Sequence, residues 1–423
     1  MATRTQSEAV ERAARARAAS RRMGAVSTDQ KNDAMERIAA ALLAGQDELL
    51  AINARELARA REHSVAGSFL ERMTLSPERI AGIAADTRNI ARLPDPVGET
   101  IDMTTRPSGL QIGRVRVPLG VIGAIYESRP NVTVDIATLC LKAGNAVVLR
   151  SGSDAHASSQ ALAAIVAREA EAAGLPAGAV QFIDSTDREE VGALLGAHRY
   201  IDLLVPRGGA DLIRRVREEA TMPVVTGGIG VCHTYVDAAA DLEMATRIVV
   251  NAKTERPSVC NAMDTLLVHA AVAERFLPAI AAALGARGVT LHVDQRAAAL
   301  CGTRARTVAV TPEDYDREWL SLDCSVRVVG SLEAALEHIE AHGSGHSEAI
   351  VTDSWAAAQR FQREADAAAV FVNASTYFHD GAQFGLGSEL GISTQKMHAR
   401  GPMGLRELTS YKWIVLGTGQ IRT

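Results

Sequence analysis

The sequence predicts an α/β protein with a doubly wound, dinucleotide-binding domain followed by a second α/β domain. From Gly120 onwards, apolar segments alternate with amphipathic helical segments, and a second run of the same kind begins after residue 237. Apolar strands of about five residues are typical of a parallel sheet that is buried on both faces. We therefore expect two lobes with a cleft between them.

Composition and charge exclude several other classes of protein. The chain has 423 residues, of which 47% are hydrophobic and 22% charged, and a formal net charge of -5. These values predict two or three globular domains and give no reason to expect a nucleic-acid partner or a membrane partner. No segment approaches the ~20 apolar residues of a membrane span, and the basic N-terminus lacks the apolar core of a secretory signal. The five cysteines form no CxxC pair, which favours a reducing, cytoplasmic location.

The first part of the chain predicts helices and then a hairpin. Residues 6–94 have apolar residues at helical spacing, with Ser27 and Ser76 as candidate N-caps. The apolar pattern of residues 104–118 predicts a β-hairpin with its turn at Gly113-Arg114.

Strands and helices then alternate along the rest of the chain. In the first α/β run the predicted strands cover 121–126, 146–150, 180–183, 200–205, 223–226 and 231–236, and the predicted helices cover 132–142, 155–173, 188–195 and 210–219. In the second run the predicted helices cover 241–253, 271–286, 332–341 and 354–364, and the predicted strands cover 263–269, 289–293, 349–351 and 369–373. Residues 409–421 predict one or two final strands.

Cys260 is the residue best suited to nucleophilic chemistry. It lies in a polar loop between a predicted helix and the strand 263–269. Only a small fraction of an ordinary thiol is thiolate at neutral pH, and nearby positive charge raises that fraction. Lys253 and Arg256 are close in sequence and carry such charge. A buried, inert thiol is the alternative for any single cysteine. That alternative suits the other four better: Cys140, Cys232, Cys301 and Cys324.

Asn131 follows the predicted strand 121–126 and opens a helix. It therefore lies at the carboxyl end of a parallel strand, where α/β sheets place their binding sites. Its side-chain amide is a suitable donor to an oxyanion that forms during a reaction. Asparagine is also a good helix N-cap, and that alternative stays open.

Two strand-to-helix turns have residues suited to the phosphate groups of a dinucleotide. Arginine, hydroxyl groups and flexible glycines can hold phosphate oxygens at the start of a helix. The residues of the first turn are Arg150, Ser151 and Gly152, and those of the second are Pro206, Arg207, Gly208 and Gly209. Neither turn matches GxGxxG, so ordinary turn chemistry remains the alternative.

Two further motifs are not expected to form ligand sites. The glycine-rich segment 226–230 leads into another strand, so it predicts a structural turn. His338, His342 and His346 are spaced by four, but glycines interrupt the helix and no H-E-x-x-H motif is present. We therefore expect no metal.

Several segments occur in the same order as in one known family. They are Val117–Gly123, the Glu-Ser-Arg-Pro-Asn run at 127–131, Asn261 beside Cys260, His398–Gly404, and Tyr411–Trp413. On these residues the chain resembles the γ-glutamyl phosphate reductases, which belong to the aldehyde dehydrogenase superfamily. The resemblance extends from about residue 18 to residue 422.

The resemblance implies an aldehyde dehydrogenase-like fold with a particular division of the chain. Residues 1–103 and 119–237 would form the NADP-binding domain, with a helical N-terminus, and residues 238–372 the catalytic domain. Residues 104–118 and 405–423 would form oligomerisation strands, and residues 373–404 would return to the cofactor domain.

The resemblance also implies a reaction. Cys260 would be the nucleophile and Asn131 an oxyanion donor, and the two turns would hold NADPH or NADP⁺. The enzyme would reduce L-glutamyl 5-phosphate to L-glutamate 5-semialdehyde and phosphate through a Cys260 thioester, in the second step of proline biosynthesis. It would be a homo-oligomer, either a dimer or a tetramer, with glutamate 5-kinase as a further candidate partner. Glu127, Arg129 and Arg400 are candidates by charge for the substrate's amino and carboxylate groups, and Glu318 is a candidate for the nicotinamide ribose.

One departure from the superfamily pattern bears on the reaction. Aldehyde-oxidising relatives carry a glutamate that activates water, whereas the matching stretch here is Val-Thr-Gly-Gly at 225–228. Without that base, the thioester would persist until hydride arrives, which suits a reductase. Three alternatives remain at this point: an oxidiser of a small semialdehyde, a reductase of another acyl phosphate or acyl-CoA, and a non-enzymatic binding protein.

Overall fold

The structure, a computed structural model, describes residues 7–62, 67–227 and 229–422. Its contacts divide the chain into two compact units. The first unit comprises Met1–Thr226, Gly385–Gly391 and Met403–Thr423, and the second comprises Gly227–Phe384 and Ile392–Pro402. The main boundary between the units lies between Thr226 and Gly227, whereas the sequence placed the boundary after residue 237. Segment 373–404 is divided between the units, although the sequence assigned it to the cofactor domain. The functional labels of these domains stay predictions.

Five helices precede the first sheet. They are α1 (Glu8–Met23), α2 (Thr28–Ala44), α3 (Gln46–Glu62), α4 (Gly67–Met73) and α5 (Pro77–Arg92). The Ser27 hydroxyl accepts the Gln30 N–H in a capping box at the start of α2, and the Ser76 hydroxyl caps α5. Both predicted N-caps are therefore confirmed, and they satisfy backbone N–H groups that a helix start leaves unpaired.

The first unit contains a four-stranded parallel sheet of the predicted kind. After strands β1 (Thr100–Thr105) and β2 (Gln111–Pro118), its elements are β3 (Val121–Tyr126), α6 (Asn131–Lys142), β4 (Ala146–Ser151), α7 (His156–Ala172), β5 (Val180–Phe182), α8 (Arg188–Leu195), β6 (Leu203–Arg207) and α9 (Ala210–Glu219). The strand order is β5-β4-β3-β6, and β3 is buried along its whole length. The predicted strand 223–226 is wrong, because this segment makes only an isolated bridge from Val224 to Leu204.

The second unit is built around a seven-stranded sheet. Its elements are β7 (Cys232–Val236), α10 (Leu242–Thr254), β8 (Met263–His269), α11 (Ala270–Gly285), β9 (Thr290–Val293), α12 (Gln295–Cys301), β10 (Arg306–Ala309), β11 (Asp323–Val329), α13 (Leu332–His342), β12 (Ser347–Val351), α14 (Trp355–Glu364) and β13 (Ala369–Val372), followed by the short pair β14 (Ile392–Ser393) and β15 (Gly401–Pro402). The order of the large sheet is β10-β9-β11-β8-β7-β12-β13, and all its pairings are parallel.

Helices cover both faces of this second sheet. Successive residues of a strand point to opposite faces. Leu266 packs in a core with Phe276 of α11, whereas its neighbour Leu267 packs in a separate core with Ile339 of α13 and Phe361 of α14. The arrangement confirms the predicted α/β class. Among the described residues, no helix is long and apolar enough to cross a membrane.

A separate antiparallel sheet contains the predicted hairpin. Its order is β1-β2-β16, where β16 is Thr409–Leu416. The hairpin is confirmed but the predicted turn is wrong, because the chain reverses between Arg106 and Leu110 and Gly113 lies within β2. A Cβ at Gly113 would lie 2.3 Å from the carbonyl oxygen of Asp102. This glycine therefore permits close approach of two strands and does not form a turn.

Candidate active site

Cys260 lies in the turn that connects α10 to β8. The Val259 N–H bonds to the Arg256 carbonyl at 3.4 Å, and the Ala262 N–H bonds to the Val259 carbonyl at 3.1 Å. Cys260 is partly exposed, and the other four cysteines are buried. A nucleophile must be reachable by its substrate, so the structure favours Cys260 over every other thiol of the chain.

The backbone of Cys260 is held by Gly230, at the end of the glycine-rich segment 226–230, and by Cys232. The Cys232 thiol donates to the Cys260 carbonyl at 3.2 Å. A Cβ at Gly230 would lie 1.8 Å from the same carbonyl oxygen, so only glycine fits there. Gly228 of this glycine-rich segment lies outside the described residues. The segment 229–232 is thus the support of the cysteine loop, a role for which its sequence carries no signal beyond the glycines.

Asn261 is anchored to a distant part of the same unit. Its side-chain amide donates to the carbonyls of Tyr377 and His379 at 3.2 and 3.1 Å. The Thr376 hydroxyl donates to the Asn261 carbonyl at 2.7 Å. Three hydrogen bonds therefore fix the residue that follows the thiol.

The structure separates the two cations that the sequence placed near the thiol. Lys253 is fully buried, and its Nζ lies 3.9 Å from a carboxylate oxygen of Asp264. Arg256 is exposed and begins the turn that ends beside Cys260. Arg256 is consequently the cation of this loop that solvent and a bound anion can reach.

Glu318 also contacts the support of the cysteine loop. Its carboxylate accepts the Gly230 N–H at 3.1 Å. Burial raises the pKa of Glu318, and this hydrogen bond opposes the rise. Its predicted contact with a nicotinamide ribose stays a prediction.

In the first unit, Asn131 is the first residue of α6 and its side chain does not cap the helix. The residue at the N-cap position is Pro130, which makes no side-chain cap bond. The Asn131 amide instead donates to the Asp135 carboxylate at 2.9 Å. The N-cap alternative is therefore not realised. Burial raises the pKa of Asp135 to about 7, a rise that the Asn131 hydrogen bond opposes and the charge of Asp86 reinforces.

The two predicted phosphate turns lie on either side of β3. Tyr126, at the end of β3, pairs with Ser151 of β4 and with Arg207 of β6. The Gly152 N–H bonds to the Tyr126 carbonyl at 2.7 Å, and the Glu127 N–H bonds to the Arg207 carbonyl at 3.0 Å. The structure therefore brings both turns together at the carboxyl edge of the sheet, as expected for strands of one parallel sheet.

Glu127 stabilises the second of these turns. Its Oε2 accepts the Gly209 N–H at 3.0 Å. A Cβ at Gly208 would lie 2.5 Å from the same oxygen, so a larger residue there would displace the Glu127 carboxylate. Glu127 thus has a structural partner already, and its contact with substrate stays a prediction. Pro206 is buried within β6.

The first turn presents an incompletely bonded arginine. Arg150 donates to the Thr186 carbonyl at 3.1 Å, while its Nε is buried and has no partner among the described residues. Burial lowers the pKa of Arg150, and the charge of Glu127 opposes this effect. The Ser151 hydroxyl lies 3.3 Å from Nδ1 of His156, the first residue of α7. A half-buried guanidinium with a spare donor fits the phosphate of a dinucleotide.

Ser128 is a residue that the sequence analysis missed. It has a φ of 54°, is buried, and its hydroxyl has no partner among the described residues. A left-handed conformation is strained for serine, and such strain is concentrated at functional sites. No local sequence signal predicts it, because the conformation is imposed by the surrounding fold.

The remaining charged candidates are on the surface. Arg400 bonds to Asp366 at 2.7 Å, and Lys396 approaches the same carboxylate at 2.5 Å. Arg129 is exposed in the connection between β3 and α6. The structure does not bring Arg400 and Glu127 into one unit. Their substrate contacts stay predictions.

The three spaced histidines do not form a metal cluster. Within the described part of the chain, no group of three His, Cys, Asp or Glu residues could hold a metal ion. Nδ1 of His338 accepts an N–H from the Arg327 guanidinium at 2.8 Å, and burial lowers the pKa of His338 to about 2. His338 is therefore a neutral histidine of the core.

Comparison with known proteins identifies close relatives of the chain. The Aldehyde dehydrogenase family matches over residues 1–299. The chain is 56% identical to a γ-glutamyl phosphate reductase of Moorella thermoacetica, over 96% of this chain and 97% of the relative. It superimposes on the crystal structure of a γ-glutamyl phosphate reductase of Thermotoga maritima with a TM-score of 0.96 and 44% identity, covering 98% of this chain and 100% of that one. An acetylating aldehyde dehydrogenase of Geobacillus thermoglucosidasius shares the fold, with a TM-score of 0.68 and 19% identity over 98% of each chain.

Proposed function

The chain belongs to the aldehyde dehydrogenase family, and within it to the γ-glutamyl phosphate reductases, and on that premise we propose that Cys260 carries its chemistry. The enzyme reduces γ-glutamyl phosphate in the second step of proline biosynthesis. Its substrate is a small molecule and its cofactor a nicotinamide dinucleotide.

The exposure of Cys260 is the observation that carries the assignment of the nucleophile. Every other thiol of the chain is buried, whereas Cys260 is partly exposed in a loop whose backbone is fixed on both sides. A fixed backbone and an accessible sulfur are what nucleophilic catalysis requires.

Cys260 performs two successive displacements at one carbonyl carbon. The thiolate attacks the γ-carbonyl of L-glutamyl 5-phosphate, the bond to the phosphate oxygen breaks, and phosphate leaves with its electron pair. The resulting thioester then accepts a hydride at the same carbon, and the C–S bond breaks to regenerate the thiolate and release L-glutamate 5-semialdehyde. A bound NADPH supplies the hydride. The Asn131 amide has a second N–H beside the one given to Asp135, and this donor would stabilise the oxyanion of each step.

The cofactor is proposed to be NADPH, held by the turns at 150–152 and 206–209. The spare Nε of Arg150 fits a phosphate, and the backbone N–H groups at the start of α9 favour negative charge. Val225 occupies the position that matches the water-activating glutamate of a Glu-Leu-Gly-Gly segment in oxidising relatives. The absence of a carboxylate at this position supports reduction of the thioester over its hydrolysis.

The chain is further proposed to act in the cytoplasm as a homo-oligomer. The sheet β1-β2-β16 exposes several large apolar side chains, namely Ile101, Met103, Tyr411, Trp413, Val415 and Leu416. A second copy of the chain would bury these apolar side chains against the same apolar sheet of its own. A dimer and a tetramer both satisfy this observation, and a contact with glutamate 5-kinase stays a prediction from the family.

The function is tested with the reverse reaction. The assay follows NADPH formation from glutamate semialdehyde, NADP⁺ and phosphate. Cys260→Ser should abolish phosphate-dependent turnover, because the serine hydroxyl is a far weaker nucleophile than the cysteine thiolate that it replaces. Cys301→Ser is the matched control, since this buried thiol lies in the same unit and should leave turnover near wild type. Wild-type turnover by Cys260→Ser would contradict the covalent scheme, and faster reduction of acyl-CoA than of glutamyl phosphate would contradict the substrate.

A further inference from the structure

Asp264 joins two backbone segments next to the cysteine loop. It lies in β8 and is 2% exposed. One carboxylate oxygen accepts the Trp319 N–H at 2.9 Å, and the other accepts the Cys232 N–H at 3.4 Å. Neither N–H belongs to a neighbour in sequence, so the carboxylate fixes the distance between two separate parts of the chain.

Both segments that Asp264 holds lead back to Cys260. Cys232, held by its N–H, donates its thiol to the Cys260 carbonyl at 3.2 Å. Trp319, held in the same way, follows Glu318, whose carboxylate accepts the Gly230 N–H. Gly230 in turn packs against the Cys260 carbonyl. The contacts therefore form a closed ring, and a displacement of Asp264 would move the support of Cys260 on two sides.

Lys253 is the counter-ion of this carboxylate. Its Nζ lies 3.9 Å from the nearer Asp264 oxygen, is fully buried, and has no hydrogen-bond partner among the described residues. Burial raises the pKa of Asp264 to about 7, and Lys253 is the first of the contacts that oppose this rise. A buried charge is tolerated only when it is paired, so each of these two groups depends on the other.

We propose that Asp264 is a positioning residue for the Cys260 nucleophile, with Lys253 as its buried counter-ion. The inference rests on the proposed role of Cys260. Asp264 is buried and acts on Cys260 through the backbone of Cys232 and Trp319. A displacement of a reacting group by about 1 Å can cost about 100-fold in rate, which sets the scale of the expected effect.

The test compares Asp264→Asn with Asp294→Asn. The amide at position 264 keeps the shape of the side chain, but it turns an N–H₂ group towards one of the two backbone N–H donors and removes the charge opposite Lys253. Asp294 is the matched control, because it also accepts two backbone N–H groups, from Ala297 at 2.7 Å and Val328 at 2.9 Å. Among the described residues, neither of these hydrogen bonds involves the segment 230–232 or Trp319.

Asp264→Asn should lower kcat of the reverse reaction about 100-fold with the KM for NADP⁺ unchanged. It should also slow the alkylation of Cys260 by iodoacetamide, measured by intact-protein mass. Asp294→Asn should leave both rates near wild type, even if its Tm falls as much as the Tm of Asp264→Asn. Equal losses of kcat in the two variants, or a loss confined to KM, would overturn the inference.

The role of Lys253 is tested with Lys253→Met and the double variant Lys253→Met/Asp264→Asn. If the two groups act as one unit, the second substitution should cost little beyond the first. If the kcat losses of the two single variants multiply in the double variant, the proposed pairing of Lys253 with Asp264 is contradicted. Lys253→Met alone carries the same kcat prediction if Asp264→Asn fails to fold. Cys260→Ser is measured in parallel: an active Cys260→Ser contradicts the proposed nucleophile, whereas an inactive Cys260→Ser with a fully active Asp264→Asn contradicts only this inference.

Discussion

The side-chain amide of Asn131 donates to the carboxylate of Asp135 at 2.9 Å, one turn further along α6. This bond uses one of the two amide N–H groups and fixes the direction of the other. Asn131 is therefore a donor whose orientation is set by its own helix, which suits a role in stabilising charge that develops during a reaction.

Asn131→Ala should lower kcat about 100- to 1,000-fold, the usual cost of removing an oxyanion donor. Asp135→Ala should cost less, about fivefold, because it removes only the hydrogen bond of about 1 kcal/mol that orients the amide. Steady-state rates in the reverse direction check both values. A lower Tm with unchanged kcat in Asn131→Ala would show that the residue serves only the helix.

The stability of the enzyme should decline as pH rises towards 7 because of Asp135. Its pKa in the folded state is raised to about 7 from 3.8. The folded state therefore binds the proton more tightly than the unfolded state, and this contribution to stability is fully present below pH 3.8 and is lost as pH rises through 7. Asp135→Asn removes this loss, so its free energy of unfolding relative to wild type should increase between pH 5 and pH 8, by at most about 1.4 kcal/mol per pH unit. Urea unfolding of both proteins across that range measures the difference, and a parallel pH dependence would contradict it.

Gly230→Ala should strongly lower the turnover of the enzyme. The added methyl group would lie 1.8 Å from the Cys260 carbonyl oxygen, so the cysteine loop must move. A displacement of about 1 Å predicts a loss of about 100-fold in kcat. Gly330→Ala is the control, because a Cβ there meets nothing within 4 Å. Near-wild-type turnover in Gly230→Ala would show that the loop tolerates the displacement.

The phosphate contact proposed for Arg150 is with the 2′-phosphate, which NADH lacks, so Arg150→Met should weaken binding of NADPH more than binding of NADH. A hydrogen bond to a charged group contributes about 1.5–3 kcal/mol, which corresponds to about 10- to 100-fold in the KM for NADPH. Arg168→Met is the control in the same unit, since Arg168 is exposed on α7 and pairs only with Glu169 among the described residues. Equal increases of the KM values for NADPH and NADH would contradict the proposed contact between Arg150 and the phosphate.

Trp413→Lys should dissociate the proposed homo-oligomer. Trp413 is 61% exposed on β16, and the Arg114 guanidinium already lies 5.6 Å from its ring centroid, so a second positive charge would repel Arg114 and a partner sheet. Trp355→Lys replaces a tryptophan that is 75% exposed on α14 and should leave the assembly unchanged. Light scattering after size exclusion gives the mass of each variant. A wild-type mass for Trp413→Lys would place the interface elsewhere.

Most regular elements were predictable because they follow from local patterns. Helices α8 and α9 have the predicted bounds, and the strands after Gly120 carry the apolar runs of buried parallel strands. Strand β11 was missed because Asp323, Ser325 and Arg327 interrupt its apolar pattern, although it pairs with both β8 and β9 inside the sheet. Its polar residues are accommodated by partners that no local pattern reveals.

The sequence by itself determined the fold class and led to the proposal of Cys260 as nucleophile, because a thiol in a polar loop before a buried strand can be recognised from neighbouring residues. Only the tertiary structure decided what supports that thiol. It paired Lys253 with Asp264 and brought Gly230 and Cys232 against the Cys260 carbonyl. These contacts join residues that are far apart along the chain, and strand register and burial decide which of them meet.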